Sequence, residues 1–219
     1  MLDFEKAQRM SLTMQVEVNL KSALIIGALK PGARLITRDL AEQLGTSITP
    51  VREALLRLVS SGALQATPAQ AFLVPEVSLQ RYNEINQIRK KLESMAASTA
   101  ASLMTKEKLG ELHSHVDAFH DAKAQGDMEE ALQSNCRFRF HLYDYAEMPT
   151  LTALIEQLWV RIGPCFNFLH PLSCEIFKQD RYYDDLLRAL EKKDQAESGV
   201  AICRAIDQGA AILQRQYVN

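Results

Sequence analysis

Apolar residues recur every three to four positions along most of the 219-residue chain, the spacing that turns one face of an α-helix toward a core. Behind Ser11 or Thr13, either of which can cap a helix, Val16, Leu20, Ala23 and Leu24 keep this period until Gly27 ends it. Pro31 and Gly32 supply turn chemistry ahead of a short extended piece over residues 33–36. A second helix is expected with Thr37 as N-cap, Leu40, Ala41 and Leu44 as its buried stripe, and Gly45 as its stop. A third begins only a few residues later, within "TSITPVREALLRL" at positions 46–58. There Val51, Ala54, Leu55 and Leu58 stand at i, i+3, i+4 and i+7 and must face inward, which turns Thr49, Arg52 and Glu53 elsewhere. Two short helices joined by a tight turn form a helix-turn-helix. The period then changes. Residues 63–67 and 71–74 flank "PAQ" as two short strands, a β-hairpin wing that Pro75 closes.

From Ser78 onward the pattern is helical almost throughout, with helices expected over about 79–103, 106–125, 128–147, 150–169, 174–192 and 195–217. Thr105, Gly126-Asp127, Pro149, Pro171 and Lys193-Asp194 supply the breaks, each by capping or by interrupting the helix. The fold class expected is therefore mostly α: a winged helix-turn-helix with a small hairpin wing over residues 1–78, then an all-α antiparallel bundle over residues 79–219.

Composition narrows the function. With 47% apolar and 24% charged residues, seven prolines and nine glycines, the chain is neither disordered nor fibrous, and no apolar run approaches a membrane span. The opening "MLDFEKAQRM" mixes both charges and lacks the apolar centre of an export signal, so a cytoplasmic location is expected. Cys136, Cys165, Cys174 and Cys203 show no CxxC spacing and are expected as reduced thiols rather than as disulfide or zinc ligands. Eight Lys/Arg stand against seven Asp/Glu through residue 78, and 17 against 20 beyond it. A nonspecific DNA coat would be far more basic, so any nucleic-acid contact must come from a few placed cations.

The third helix offers such placement. Ser47 or Thr49 can cap it, and Pro50 sits in the first turn, where a missing N–H costs little. Capping does not account for Arg52, since a cation in the first turn opposes the helix dipole. In a helix-turn-helix the front of the second helix enters the major groove, where hydroxyls and free N–H groups meet phosphate and arginine reads guanine. The alternative is an ordinary capped helix with Arg52 solvated or paired to a nearby acid.

The segment "GALKPGARL...DLAEQLGTSITPVREALLRLVSSGAL" resembles the winged-helix signature of the GntR superfamily, and "IRKKLESMAASTAA" with the helices after it is similar to the FadR-type ligand-binding (FCD) domain. The resemblance covers essentially the whole chain. It implies a homodimeric, ligand-responsive transcriptional regulator, a repressor, acting on a pseudo-palindromic double-stranded DNA operator, with no membrane association. By position it implies DNA contacts at Arg38, Ser47, Thr49 and Arg52, with the wing tip at Gln70. Two departures stand out: Ile48 where the family usually has arginine, and Gln70 where the wing usually has glycine.

Many domains of that family hold a divalent metal on one aspartate and three histidines. The resemblance carries those positions to Asn135, Arg139, Tyr183 and Ala205, none a good ligand, so no metal and no cofactor are expected. Arg139 would instead supply a fixed positive charge there, with Arg89 as a second fork for a small anionic effector such as a carboxylate. Arg89 could equally form a structural ion pair with Glu93. The effector residues implied are Arg89, Asn135, Arg139 and Tyr183. Trp159, Phe166 and Phe168, with Phe138 and Tyr183, either line a pocket or simply pack the core, and packing is the expectation for Trp159. His113 and His115 point apart, and His120 and His141 stand alone, so no histidine pair shares a ligand spacing. No nucleophile with its base, phosphate loop or HExxH motif occurs; a helical enzyme with a winged-helix appendage and a protein-interaction adaptor remain as the alternatives.

Overall fold

The computed structural model describes residues 11–68, 71–169 and 182–218. Helix α1 (Leu12–Ile25) is capped by Ser11, whose hydroxyl accepts from the Met14 N–H. Helices α2 (Thr37–Gln43) and α3 (Ile48–Ser60) follow, separated by a turn in which Gly45 takes φ 61°, the left-handed conformation glycine adopts freely. Val51, Ala54, Leu55 and Leu58 of α3 are buried, as their spacing requires, against α1.

Helix α2 departs from expectation by one position. Ile36 occupies the N-cap and Thr37 is already helical, with no side-chain cap. Of the expected stripe only Ala41 is buried; Leu40 is half-buried and Leu44 is exposed, because a seven-residue helix ends before its third apolar position turns inward. Three two-residue strands make one antiparallel sheet in the order β1 (Arg34–Leu35), β3 (Phe72–Leu73), β2 (Gln65–Ala66). The wing hairpin is closed at its tip by Thr67, whose N–H and hydroxyl both donate to the Ala71 carbonyl. The extended piece before α2 therefore acts as a third strand, with Arg34 opposite Leu73.

In the second half, α4 (Leu79–Ser102) runs along α9 (Gln195–Val218), and α5 (Lys106–Gln125) along α6 (Met128–Asp144). Helix α7 (Pro149–Ile162) and α8 (Tyr182–Glu191) complete nine α-helices among the described residues. Ser78, Thr105 and Asp127 cap α4, α5 and α6 with their side chains. Helix α6 ends at Asp144, short of the expected 147, because Pro149 disfavours helical backbone at Met148, and the intervening residues tighten into a turn. The helix expected over 150–169 stops at Ile162 and gives way to a 3-10 turn, Gly163–Leu169. Pro164 explains the stop, since it lacks the N–H that would continue the ladder and crowds the carbonyl four residues back. Of the helix expected over 174–192, only the part from Tyr182 lies within the described residues, and Pro171 and Cys174 lie outside them.

The two halves share one apolar cluster, which includes Leu24 and Leu55 as well as Phe138 and Trp159. Polar contacts cross between them. Lys21 Nζ stands 2.9 Å from Glu156 Oε2, and Arg161 donates from Nε (3.2 Å) and Nη2 (2.7 Å) to the carbonyl of Ser61, the C-cap of α3. At Gly163 a Cβ would lie 2.1 Å from the Leu24 carbonyl oxygen, so only glycine lets the 3-10 turn seat on the end of α1.

Candidate functional site

Two groups of residues carry candidate chemistry. At the front of α3, Ser47 is exposed and holds the N-cap position but makes no side-chain cap bond. Thr49 and Arg52 on α3 and Arg38 on α2 are exposed, and neither arginine has an ion pair among the described residues. The nearby acid is committed elsewhere: Glu53 Oε2 accepts from the Thr13 hydroxyl of α1 at 2.8 Å. Thr13, offered by the sequence as a cap for α1, instead ties α1 to α3. Gln70 lies outside the described residues.

The second group surrounds a cavity inside the helical half, enclosing about 80 Å³. Arg89 of α4, Asn135 and Arg139 of α6 and Tyr183 of α8 all line it, as does Ala205 of α9. Phe119, Leu132, Trp159, Phe166 and Ile206 form much of its apolar wall. Lys123, which nothing in the sequence marked, also lines it, and among the described residues the lining holds no carboxylate.

Behind the arginines sits Glu93, fully buried. Its Oε1 accepts from Arg89 Nε at 2.6 Å and Trp159 Nε1 at 2.9 Å; its Oε2 accepts from the Tyr143 hydroxyl and from Arg139 Nη1 at 3.4 Å. Arg139 Nε donates to the Tyr183 hydroxyl at 3.0 Å, and that hydroxyl donates to Asn135 Oδ1. Arg89 Nη1 reaches Asn86 Oδ1 at 2.9 Å. The ion pair with Glu93 is thus real, yet it leaves two buried guanidiniums sharing one carboxylate. Burial pushes the Arg139 pKa down, but Tyr183, Tyr143 and the Glu93 charge outweigh it and hold it well above the ordinary value, so the cation persists. Trp159 is both things the sequence allowed: it is core, and it lines the cavity while holding Glu93 in place. Phe138 packs in the core against the Tyr183 ring rather than lining the cavity, and nothing is described of the Phe168 side chain.

Asn135, Arg139, Tyr183 and Ala205 converge here, but they do not fit a divalent metal. Arg139 offers only donors, Ala205 offers nothing, and the Tyr183 oxygen is already engaged by Arg139 and held protonated by burial. One expectation about histidine is corrected. His141 does not stand alone: the α5–α6 packing brings its Nδ1 to 3.4 Å from His115 Nε2, with the rings edge to face. Burial and the neighbouring His141 hold the His115 pKa below its ordinary value. Among the described residues no group of three ligating side chains forms around the pair.

Residues 12–74 match the family described as bacterial regulatory proteins, gntR family, and residues 84–208 match the FCD domain. The HTH-type transcriptional regulator McbR of Escherichia coli strain K12 is 48% identical over 214 residues, 97% of each chain. The chain belongs to the gntR family. Within that family, the solved structure of E. coli McbR superposes with a TM-score of 0.92 at 48% identity, over 95% of this chain and all of that one. The E. coli transcriptional repressor RspR is 24% identical over 199 residues, 90% of this chain and 85% of its own. A GntR regulator from Rhodococcus sp. RHA1 shares the fold, with a TM-score of 0.74 at 19% identity over 95% of this chain and all of its own. The chain is thus a transcriptional regulator with a GntR DNA-binding part and an FCD effector-binding part, and its relatives and fold are those of regulators, not enzymes. No described helix is long and apolar enough to cross a membrane.

Proposed function

We propose that the protein is a cytoplasmic homodimeric repressor that divides at residues 78/79 into a DNA-binding and an effector-binding domain. It grips a pseudo-palindromic operator through Arg38, Ser47, Thr49 and Arg52 with Gln70 at the wing tip, and it responds to a small anion held without metal. What carries the DNA reading is the helix-turn-helix surface: the uncapped Ser47 hydroxyl and exposed Arg52 at the front of α3, with exposed Arg38 on α2, neither arginine ion-paired among the described residues, lie where a helix-turn-helix meets the major groove. A two-fold dimer reads a two-fold site.

What supports the anionic effector is charge arithmetic in a largely buried pocket. Two buried guanidiniums, Arg89 and Arg139, share the one buried carboxylate of Glu93, so the pair carries an excess of positive charge. A buried charge without a partner is costly, and a carboxylate that accepts from Arg139 and Arg89 relieves that cost. The size of the cavity limits the guest to roughly five to eight water-sized groups, at about 10–15 Å³ each. Ligand then shifts operator affinity only as far as it binds one arrangement of the dimer better than the other.

The test is fluorescence anisotropy with a labelled duplex from the chain's own upstream region, titrated with short carboxylates. Wild-type protein should bind, and a carboxylate should change its affinity. Arg139→Met should keep the DNA affinity and lose the response. A protein that binds no upstream fragment overturns the DNA reading; one that binds while ignoring every anion, with no thermal shift in their presence, overturns the effector reading. Stoichiometric zinc or nickel bound at Asn135, Arg139 and Tyr183 would contradict the metal-free site.

A further inference from the structure

Ile48 opens α3 with 52% of its surface exposed, between the uncapped Ser47 and the exposed Thr49. It belongs to neither apolar cluster found among the described residues. Nothing in the local structure calls for an isoleucine there. The β-branched side chain is no better than neutral for the helix, and the core face of α3 is filled by Val51, Ala54, Leu55 and Leu58. Ile48 and Arg52 are four residues apart, so they lie on the same side of the helix, Ile48 at the end nearer its tip. A large apolar group beside unpaired cations and a free hydroxyl fits a partner that is anionic at its edges and carries a small apolar feature between them. Duplex DNA has one such feature in its major groove, the C5-methyl of thymine.

We infer that Ile48 reads a thymine methyl in each half-site, next to the base faced by Arg52. The inference rests on the DNA-binding reading above and adds to it one specified base and the atom that is read. Ile48 supplies no hydrogen bond, so its discrimination is the burial of one methyl group against its side chain: about fourfold in affinity for each half-site and about fifteenfold for both together.

The experiment starts with duplexes enriched from a random pool by the full-length protein. Each thymine of the enriched half-site is then replaced by deoxyuridine, which deletes the methyl and leaves every hydrogen-bonding group in place. The expected result is one thymine per half-site whose replacement weakens wild-type binding about fourfold, while Ile48→Ala binds the thymine and uracil duplexes alike. Because Ile48 is exposed, the variant should keep the wild-type circular dichroism and oligomeric state. If wild type tolerates uracil at every position, or if the variant loses the same factor on replacement, Ile48 does not read a methyl, and the DNA-binding reading stands. If no duplex is enriched, both fall.

Discussion

Deleting Glu93 and deleting Arg139 should have very unequal costs, although both residues are buried and hydrogen-bonded to each other. Glu93→Gln keeps the shape but removes the carboxylate that Arg89 and Arg139 share, and its amide N–H₂ would point at other donors. Removing one partner of a buried pair costs about 3–5 kcal/mol. At about 2–4 °C per kcal/mol for a chain of this size, the midpoint of thermal unfolding should fall by roughly 6–20 °C. Arg139→Met removes one of two cations. Arg89 and Glu93 then balance as a one-to-one pair still held by Trp159, and Tyr183 retains its bond to Asn135. The lost hydrogen bonds, about 1 kcal/mol net each, are offset by the end of repulsion between guanidiniums, so the change should stay within about 1 kcal/mol. Urea and thermal unfolding at one protein concentration measure both. Acetate should raise the stability of Glu93→Gln more than that of wild type, by up to about 2.7 kcal/mol at a hundred times its dissociation constant. Equal losses in the two variants, or a Glu93→Gln loss under about 1 kcal/mol, would refute the charge excess on which the effector reading stands.

Other outcomes follow from the same geometry. Arg52→Ala should weaken specific operator binding by about 1–3 kcal/mol if the side chain reads a base, and should mainly flatten the salt dependence if it meets phosphate; anisotropy at several salt concentrations separates the two, and unchanged binding contradicts both. Burial, reinforced at Tyr143 by the Glu93 charge, holds the Tyr143 and Tyr183 phenols above their ordinary pKa. Their contribution to stability should therefore be complete below about pH 10 and lost as the pH rises beyond it, since the unfolded chain releases those protons first. Urea midpoints that stay flat above pH 10 would count against this. Burial pushes the Cys136 thiol up to about 11 from 9.0, so peptide-resolved alkylation at pH 8 should find it roughly a hundredfold slower than in the urea-unfolded chain. Gly163→Ala would put a methyl against the Leu24 and Ile25 backbone, and the overpacking should cost at least about 1–3 kcal/mol in the same unfolding assay.

What the sequence determined by itself was whatever depends on near neighbours along the chain. The inward face of α3 was legible because four apolar residues at helical spacing have one common direction. Ser11, Ser78, Thr105 and Asp127 announced helix starts, since a cap needs only the N–H groups two or three residues ahead. The resemblance carried Arg89, Asn135, Arg139 and Tyr183, but not their relation to one another. Only the tertiary structure decided that these residues, from three helices, meet at one cavity, and that Glu93 sits behind two arginines. The same holds for the commitment of Glu53 to Thr13, which takes that acid away from Arg52, for the third strand of the wing, and for the meeting of His115 with His141. Charge balance and hydrogen-bond partnership are sums over groups close in space. A helical period tells which way a side chain leaves its own helix, and not what another helix sets in front of it.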